Sequence, residues 1–277
     1  MAEKRKFYGM RNDYMFHAVL QKNEEVLRNL LATLLEIDEA EIESCHIENP
    51  IELGKEIEGK ECILDVKLTL NNDKVINIEL QVYKQTHWIS RSLLYWARAY
   101  DNLKSGQGYD MLLPAYHIGI LDFTLFEDHT KFMAQYQILD VEDGYLYSDK
   151  LCIKVLDLTQ LEKAKQEPET NKKLLKWAGI FKAETLEELE QLARGEEVFE
   201  NMVVTMKKLS EDEKIRMQCE AREDYERCLL TEYNAGKREG IELERENTEK
   251  ERQRADDAVK RAAELEAEVK RLQVLLQ

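Results

Sequence analysis

Two short segments of alternating apolar and polar residues, joined by a polar turn, constrain this sequence more than any other feature. In LDVKLTL and in INIELQV every second side chain is apolar, and the NND between them is a turn signal. A period of two predicts a β-hairpin with one apolar face. The other face carries Asp65, Lys67, Glu79 and Gln81, so two carboxylates and an amide share one side of the hairpin.

This polar face has the chemistry to hold a hard divalent cation. Mg²⁺ takes few protein oxygen ligands and keeps several waters, and Asp65 and Glu79 can lie opposite or diagonal to each other, about 4.5–8 Å apart. Gln81 points the same way as Glu79 and can orient a water or a phosphate, but an amide cannot act as a general base. Lys67 adds positive charge. A second interpretation stays open, because a charged face is also typical of an antiparallel pair that faces solvent.

The flanking segments predict an α/β or α+β fold with a mixed sheet. Residues 12 to 37 have helical periodicity, with Asn12 and Asp13 as capping residues and QKNEE as a point where the helix can break in two. Residues 88 to 104 predict another helix, and three strands follow it, in AYHIGILDFTLF, KFMAQYQILD and KLCIKVLDL.

The helix predicted at residues 88 to 104 has two stripes at helical spacing. Its apolar seam consists of Ile89, Leu93, Trp96, Tyr100 and Leu103. Its second stripe consists of Arg91, Tyr95, Arg98 and Asn102.

The character of the chain changes after QEPET. Residues 170 to 235 predict amphipathic helices, and from Lys237 onward helix formers with many charges follow almost without a break. Small and apolar side chains then recur at alternating spacings of three and four, which predicts a coiled coil through residues 241–277. A second copy of the chain is the simplest partner, and a charged single helix is the alternative.

Composition limits the classes of function. The net charge of −16 and the pI near 5.0 count against DNA binding over the whole surface, although a local basic groove remains compatible with them. The five cysteines are widely spaced and contain no C-x-x-C, which is typical of a reduced chain without a disulfide framework or zinc cluster. No stretch has transmembrane length, so we expect a soluble, cytoplasmic protein. The five histidines show no ligand spacing and are expected at the surface or in the core.

Two segments together carry a family resemblance: NDYMF near the start, and ILDVKLTLNNDKVINIELQVYKQTHWISRSLLYWARAY. They resemble the Rpn-type group of recombination-promoting nucleases and transposases, which belongs to the PD-(D/E)XK nuclease superfamily. The most specific part is D-x(13)-E-x-Q followed by Gln85, Arg91 and Tyr95, and the resemblance covers residues 8 to 160.

The resemblance implies a restriction-endonuclease-like core, in which helices flank a mixed central sheet, and a metal-dependent DNA endonuclease. It implies that Asp65 and Glu79 bind the metal, which is Mg²⁺, Mn²⁺ or Ca²⁺, with Asp13 as an accessory ligand or a helix cap. Gln81 stands where the superfamily usually has Lys. This leaves the general base unassigned, and Lys67 is a candidate by position.

The resemblance also implies substrate contacts from the residues after the hairpin. Arg91 and Tyr95 would contact phosphate, and Gln85 and Arg98 would complete the substrate-binding set. A modest basic strip beside the site consists of Lys84, Arg91, Arg98 and Lys104. The cellular role implied is in mobile elements or defence.

We therefore divide the chain into a nuclease-like domain at residues 1–165, a helical segment at 166–236, and a charged long helix or coiled coil at 237–277. The alternative function is a catalytically silent module that keeps the nuclease fold and binds or oligomerises without cleaving DNA. The Gln at position 81 and the acidic charge favour this alternative.

Overall fold

The computed structural model describes residues 6–51, 53, 65–84 and 86–275. The chain forms two compact units, Met1–Glu223 and Asp224–Gln277. Among the helices in the described ranges, none is both long and apolar enough to cross a membrane.

The first helical region breaks in two at Asn23, as QKNEE predicts. Helix α1 spans Asp13–Lys22 and helix α2 spans Glu24–Leu35. The side chain of Asn12 accepts a hydrogen bond from the Met15 amide at 3.1 Å and caps α1, so the capping role belongs to Asn12. Asn23 ends α1 and caps α2, because its side chain accepts from the Val26 amide at 3.2 Å.

A six-stranded mixed sheet forms the centre of the first unit, as the strand pattern predicts. Its order is β1-β2-β3-β4-β6-β5, and β3, β4 and β6 run parallel while the other pairs are antiparallel. The strands are β1 (Cys45–Ile47), β2 (Val66–Leu70), β3 (Lys74–Gln81), β4 (Ala115–Leu121), β5 (Met133–Leu139) and β6 (Leu146–Asp157).

The predicted hairpin is formed by β2 and β3. Asn71 and Asn72 in its turn have φ angles of 50° and 55°, a left-handed conformation that asparagine tolerates better than most residues. The Asp73 amide donates to the Leu70 carbonyl at 3.0 Å and closes the turn. The apolar face of the hairpin is buried, so the alternation identified the core side correctly.

Seven α-helices follow α1 in the described part of the chain. They are α2 together with α3 (Trp88–Tyr100), α4 (Leu161–Ala164), α5 (Lys172–Lys182), α6 (Leu186–Ala193), α7 (Glu197–Glu211) and α8 (Glu213–Leu275). The apolar face of the sheet shares one core with α1, α2, α5, α6 and α7. The helices after residue 166 therefore help to bury the sheet.

Helix α3 covers the opposite, polar face of the hairpin. It buries Trp88, Ser92 and Ala99, whereas Ile89 and Leu93 of the predicted apolar seam are 44% and 48% exposed. The prediction that one apolar seam runs along this helix did not indicate which side packs on the sheet. The part of the hairpin's polar face that carries Asn77 and Glu79 is consequently buried.

Gly119 on β4 allows α3 to approach the sheet. A Cβ atom at this position would lie 2.3 Å from Cζ2 of Trp88, so any larger residue would collide with the indole ring. The indole of Trp96 donates from Nε1 to the Ala115 carbonyl at 2.9 Å and holds the same helix against β4.

We predict that Gly119→Ala lowers the free energy of unfolding by about 1–3 kcal/mol, because the added methyl group overpacks the contact with Trp88. Urea unfolding followed by circular dichroism measures the change. The matched control is Gly179→Ala in α5, where the new Cβ would meet Leu192 at an ordinary 3.4 Å and helix propensity favours alanine by about 1 kcal/mol. Equal stability of the two variants would contradict the prediction.

Candidate functional site

The hairpin places Asp65 and Glu79 next to each other on its polar face. Asp65 directly precedes β2, and Val66 pairs with Ile78, so Asp65 and Glu79 occupy the next position of the same antiparallel ladder. Glu79 is 1% exposed and Asp65 is partly buried. The two carboxylates that the sequence pattern singled out therefore meet beneath α3.

The two acids interact strongly because water is largely excluded. Burial raises the pKa of the Asp65 carboxyl to about 8, and the negative charge of Glu79 is the second cause of this rise. A hydrogen bond from Asn77 Nδ2 to Asp65 Oδ2 at 3.3 Å and the charge of Arg91 act in the opposite direction. Burial is thus the main reason why the ionised form of this carboxyl is disfavoured.

Arg91 and Tyr95, which the family resemblance singled out, reach this pair from α3. Arg91 Nη2 lies 2.8 Å from Glu79 Oε1, and the guanidinium carbon lies 5.2 Å from the centre of the Tyr95 ring. Burial raises the pKa of the Tyr95 hydroxyl. Arg98 is exposed on the same helix, with its guanidinium carbon 6.0 Å from the Tyr95 ring centre.

Two further polar residues contact the acids and were not selected from the sequence. Asn77 on β3 and His117 on β4 are register partners, and Asn77 Nδ2 lies 3.2 Å from His117 Nδ1. His117 is completely buried, and its Nε2 lies 3.5 Å from Glu79 Oε2. The signal in the sequence was a histidine at an inward position of the apolar strand AYHIGIL.

Comparison with known protein families shows which family the chain belongs to. The model of the PD-(D/E)XK nuclease family transposases matches residues 10–234. The chain belongs to this family. No curated protein and no solved structure matches it. The matched span extends past residue 160 and includes the residues of α5, α6 and α7.

Membership in the family assigns a nuclease-type function, with hydrolysis of nucleic acids as its chemistry. PD-(D/E)XK nucleases generally use divalent metal ions. In the described part of the chain, no three His, Cys, Asp or Glu side chains converge into a cluster that could hold a metal ion.

The pair of Asp65 and Glu79 fits a hard divalent cation. Within the described ranges neither carboxylate oxygen of Glu79 has a hydrogen bond of good geometry, although Arg91 approaches one of them. Buried carboxylates without such bonds are costly unless a cation or another partner compensates them. The pKa of Asp65 is raised first by burial and second by the negative charge of Glu79, and a bound cation would oppose both. Oxygen ligands of this kind are those that Mg²⁺ and Ca²⁺ prefer.

Asp13, the third predicted ligand, is engaged elsewhere. Arg222 on α8 donates from Nε to both carboxylate oxygens of Asp13, at 3.0 and 2.9 Å, and its Nη2 contacts the same group. Asp13 still acts on the site through its charge, which adds to the rise in the pKa of Asp65.

Lys67 and Gln81 of the predicted site are more exposed than Glu79. Lys67 is 42% exposed and its Nζ lies 2.8 Å from Glu48. Gln81 is the last residue of β3 and is partly exposed, on the same face as Glu79. Gln85 lies outside the described residues.

We predict that Mn²⁺ raises the melting temperature of the wild-type chain by several degrees, because a ligand that binds only the folded state stabilises it. Asp65→Asn and Glu79→Gln should remove this response. In EDTA near neutral pH, Asp65→Asn should melt above the wild type, because it replaces a carboxyl whose ionised form is disfavoured by burial and by Glu79 in the folded state. Differential scanning calorimetry measures both effects.

The matched control is Asp73→Asn, since Asp73 is an exposed acid in the turn between β2 and β3. It should keep the full response to Mn²⁺. A wild-type chain whose melting temperature is the same in Mn²⁺ and in EDTA would contradict the assignment of a metal to these acids.

Proposed function

We propose that this chain is a metal-dependent DNA endonuclease that hydrolyses phosphodiester bonds. The observation that carries the proposal is the buried pair of Asp65 and Glu79 beneath α3, in a chain of the PD-(D/E)XK nuclease family. Asp65 and Glu79 are the residues that would hold the divalent ion. Such an ion lowers the pKa of a water and stabilises negative charge that develops on a phosphate.

The chain's own residues orient the substrate around these acids. Arg91 provides a guanidinium at the site, and its fork of donors suits phosphate oxygens. The Tyr95 ring packs against that guanidinium in a cation–π contact. Arg98 extends the positive charge along the exposed side of α3, where a DNA backbone must be neutralised.

Gln81 takes an orienting role in this proposal. Its amide can donate and accept hydrogen bonds at the end of β3, but it cannot take up a proton. Lys67 remains the candidate general base that was predicted from the sequence. Its ion pair with Glu48 would have to break for that role. Mn²⁺ and Mg²⁺ both suit the carboxylate pair, and the test below includes each of them.

Nicking of supercoiled plasmid at low salt tests the proposal. We predict that wild-type protein nicks DNA with Mg²⁺ or Mn²⁺ and not with EDTA, and that Asp65→Asn and Glu79→Gln lose about 100-fold or more of the rate, since the bound metal supplies several kcal/mol of transition-state stabilisation. Asp73→Asn is the matched control and should cleave like the wild type.

The second candidate function is a catalytically silent module with the nuclease fold. The Gln at position 81 and the engagement of Asp13 by Arg222 favour it. DNA binding by the wild-type protein without nicking in either metal would support this function. Equal nicking by the wild type and both acid variants would place the activity elsewhere and contradict the assignment of the site.

We also propose that the second unit pairs with the same segment of another chain. From Asp224 on, α8 is a continuous helix, and Leu265, Val269 and Leu272 lie on it at heptad spacing with more than half of each side chain exposed. A helix this polar gains little stability alone in water. Burial of these side chains against a partner helix would supply it.

We predict that replacing Leu265 and Leu272 together by Lys converts a dimer into a monomer, because two charges then occupy the apolar seam. Light scattering coupled to size exclusion measures the mass. The matched control replaces Glu264 and Glu268, outside the seam, by Lys and should leave the mass unchanged. A monomeric wild type would contradict the pairing.

A further inference from the structure

Asn77 and His117 lie between the two acids without belonging to the set proposed above. Asn77 is on β3, two residues before Glu79, and His117 is its register partner on β4. Asn77 is buried and His117 is completely buried. Strands β2, β3 and β4 therefore bring four polar side chains together on one covered face of the sheet.

The hydrogen bonds of Asn77 determine which atom of His117 carries the proton. Asn77 Nδ2 lies 3.3 Å from Asp65 Oδ2 and 3.2 Å from His117 Nδ1. The Asn77 amide nitrogen donates to Asp65 Oδ2, and it has a second hydrogen to donate. The contact at His117 Nδ1 can take that second hydrogen, and with Nδ1 as the acceptor the ring proton is on Nε2.

The protonated nitrogen of His117 faces the other acid. Nε2 lies 3.5 Å from Glu79 Oε2, while Arg91 Nη2 lies 2.8 Å from Oε1. The Arg91 guanidinium therefore lies near one oxygen of Glu79 and the His117 imidazole near the other, at ion-pair distances without the geometry of hydrogen bonds. The order of contacts is Asp65, Asn77, His117, Glu79, so a chain of polar groups joins one proposed metal ligand to the other.

Aromatic rings hold the imidazole in this orientation. The centre of the Trp88 ring lies 5.9 Å from that of His117, and the centre of the Tyr95 ring lies 6.2 Å from it. Both rings come from α3. Because the imidazole is completely buried beneath them, water does not compete for its nitrogens.

We propose that Asn77 and His117 are positioning residues, which fix the orientation of Asp65 and Glu79 so that both carboxylates present oxygens to one divalent ion. The inference rests on the function proposed above. Partners that orient metal ligands typically change metal affinity by about 10–100-fold when they are removed. His117 does not bind the metal itself in this proposal, because its Nε2 is protonated.

Metal affinity of the full-length chain tests the inference apart from catalysis. Mn²⁺ binding is measured by electron paramagnetic resonance for the wild type, Asn77→Leu, His117→Phe and the double variant. We expect each single variant to weaken Mn²⁺ binding by about 10–100-fold. The double variant should bind no more weakly than either single one, because breaking the chain of contacts at one point already frees the two carboxylates from their fixed orientation.

His117→Gln tests for rescue, because the glutamine amide can donate toward Glu79 as Nε2 does. It should bind Mn²⁺ more tightly than His117→Phe. The matched control is Asn29→Leu. Asn29 is a buried asparagine of α2 that contacts Trp177 and Glu39, away from the acids. This variant should lose stability and keep the wild-type Mn²⁺ affinity. If one of the single variants does not fold, the other and His117→Gln carry the comparison.

Three outcomes would overturn the inference, and they differ in what else they affect. Wild-type affinity in folded Asn77→Leu and His117→Phe would remove the positioning role and leave the proposed function intact. Loss of all binding in His117→Phe, with wild-type affinity in Asn77→Leu, would make His117 a ligand. No binding of Mn²⁺ by the wild type would remove both this inference and the metal-dependent nuclease.

Discussion

The burial of the Glu79 carboxylate in the middle of the sheet is the constraint on which the rest of the structure depends. A charged group with 1% exposure is costly unless other groups compensate it, and Asp65 beside it increases the cost. Arg91 offsets part of that cost, which explains why α3 turns its stripe of Arg91 and Tyr95 inward. The same rotation turns Ile89 and Leu93 outward, against their own hydrophobicity.

Strand order then decides which groups surround the acids. Because β3 lies between β2 and β4, its polar face has an antiparallel neighbour that supplies Asp65 and a parallel neighbour that supplies His117. Gly119 is the register partner of Glu79 on β4, and its missing side chain leaves room for Trp88. Close approach of α3 and exclusion of water from the site are thus two consequences of one glycine.

The helices that follow the sheet belong to the same physical unit as the site. Trp177, Phe181 and Phe199 share the core with the apolar side chains of the hairpin, and Arg222 binds Asp13 at the start of α1. A core built from the sheet and the first two helices alone would leave those aromatic partners exposed. The span of the family match, residues 10–234, agrees with this packing.

The sequence by itself determined the local elements and part of the site. Alternation predicted the hairpin and the shared face of Asp65, Glu79 and Gln81, because the pleat of a strand sets which side chains lie on one side. Family motifs added Arg91 and Tyr95.

The tertiary structure alone decided what each of these residues contacts. His117 comes to Glu79 through the pairing of β3 with β4, and Arg222 comes to Asp13 across 209 positions of the chain. Such neighbours depend on strand order and on the packing of distant helices, and no local period in the sequence records them. The face that α3 presents to the sheet was decided in the same way, by the need to compensate a buried charge.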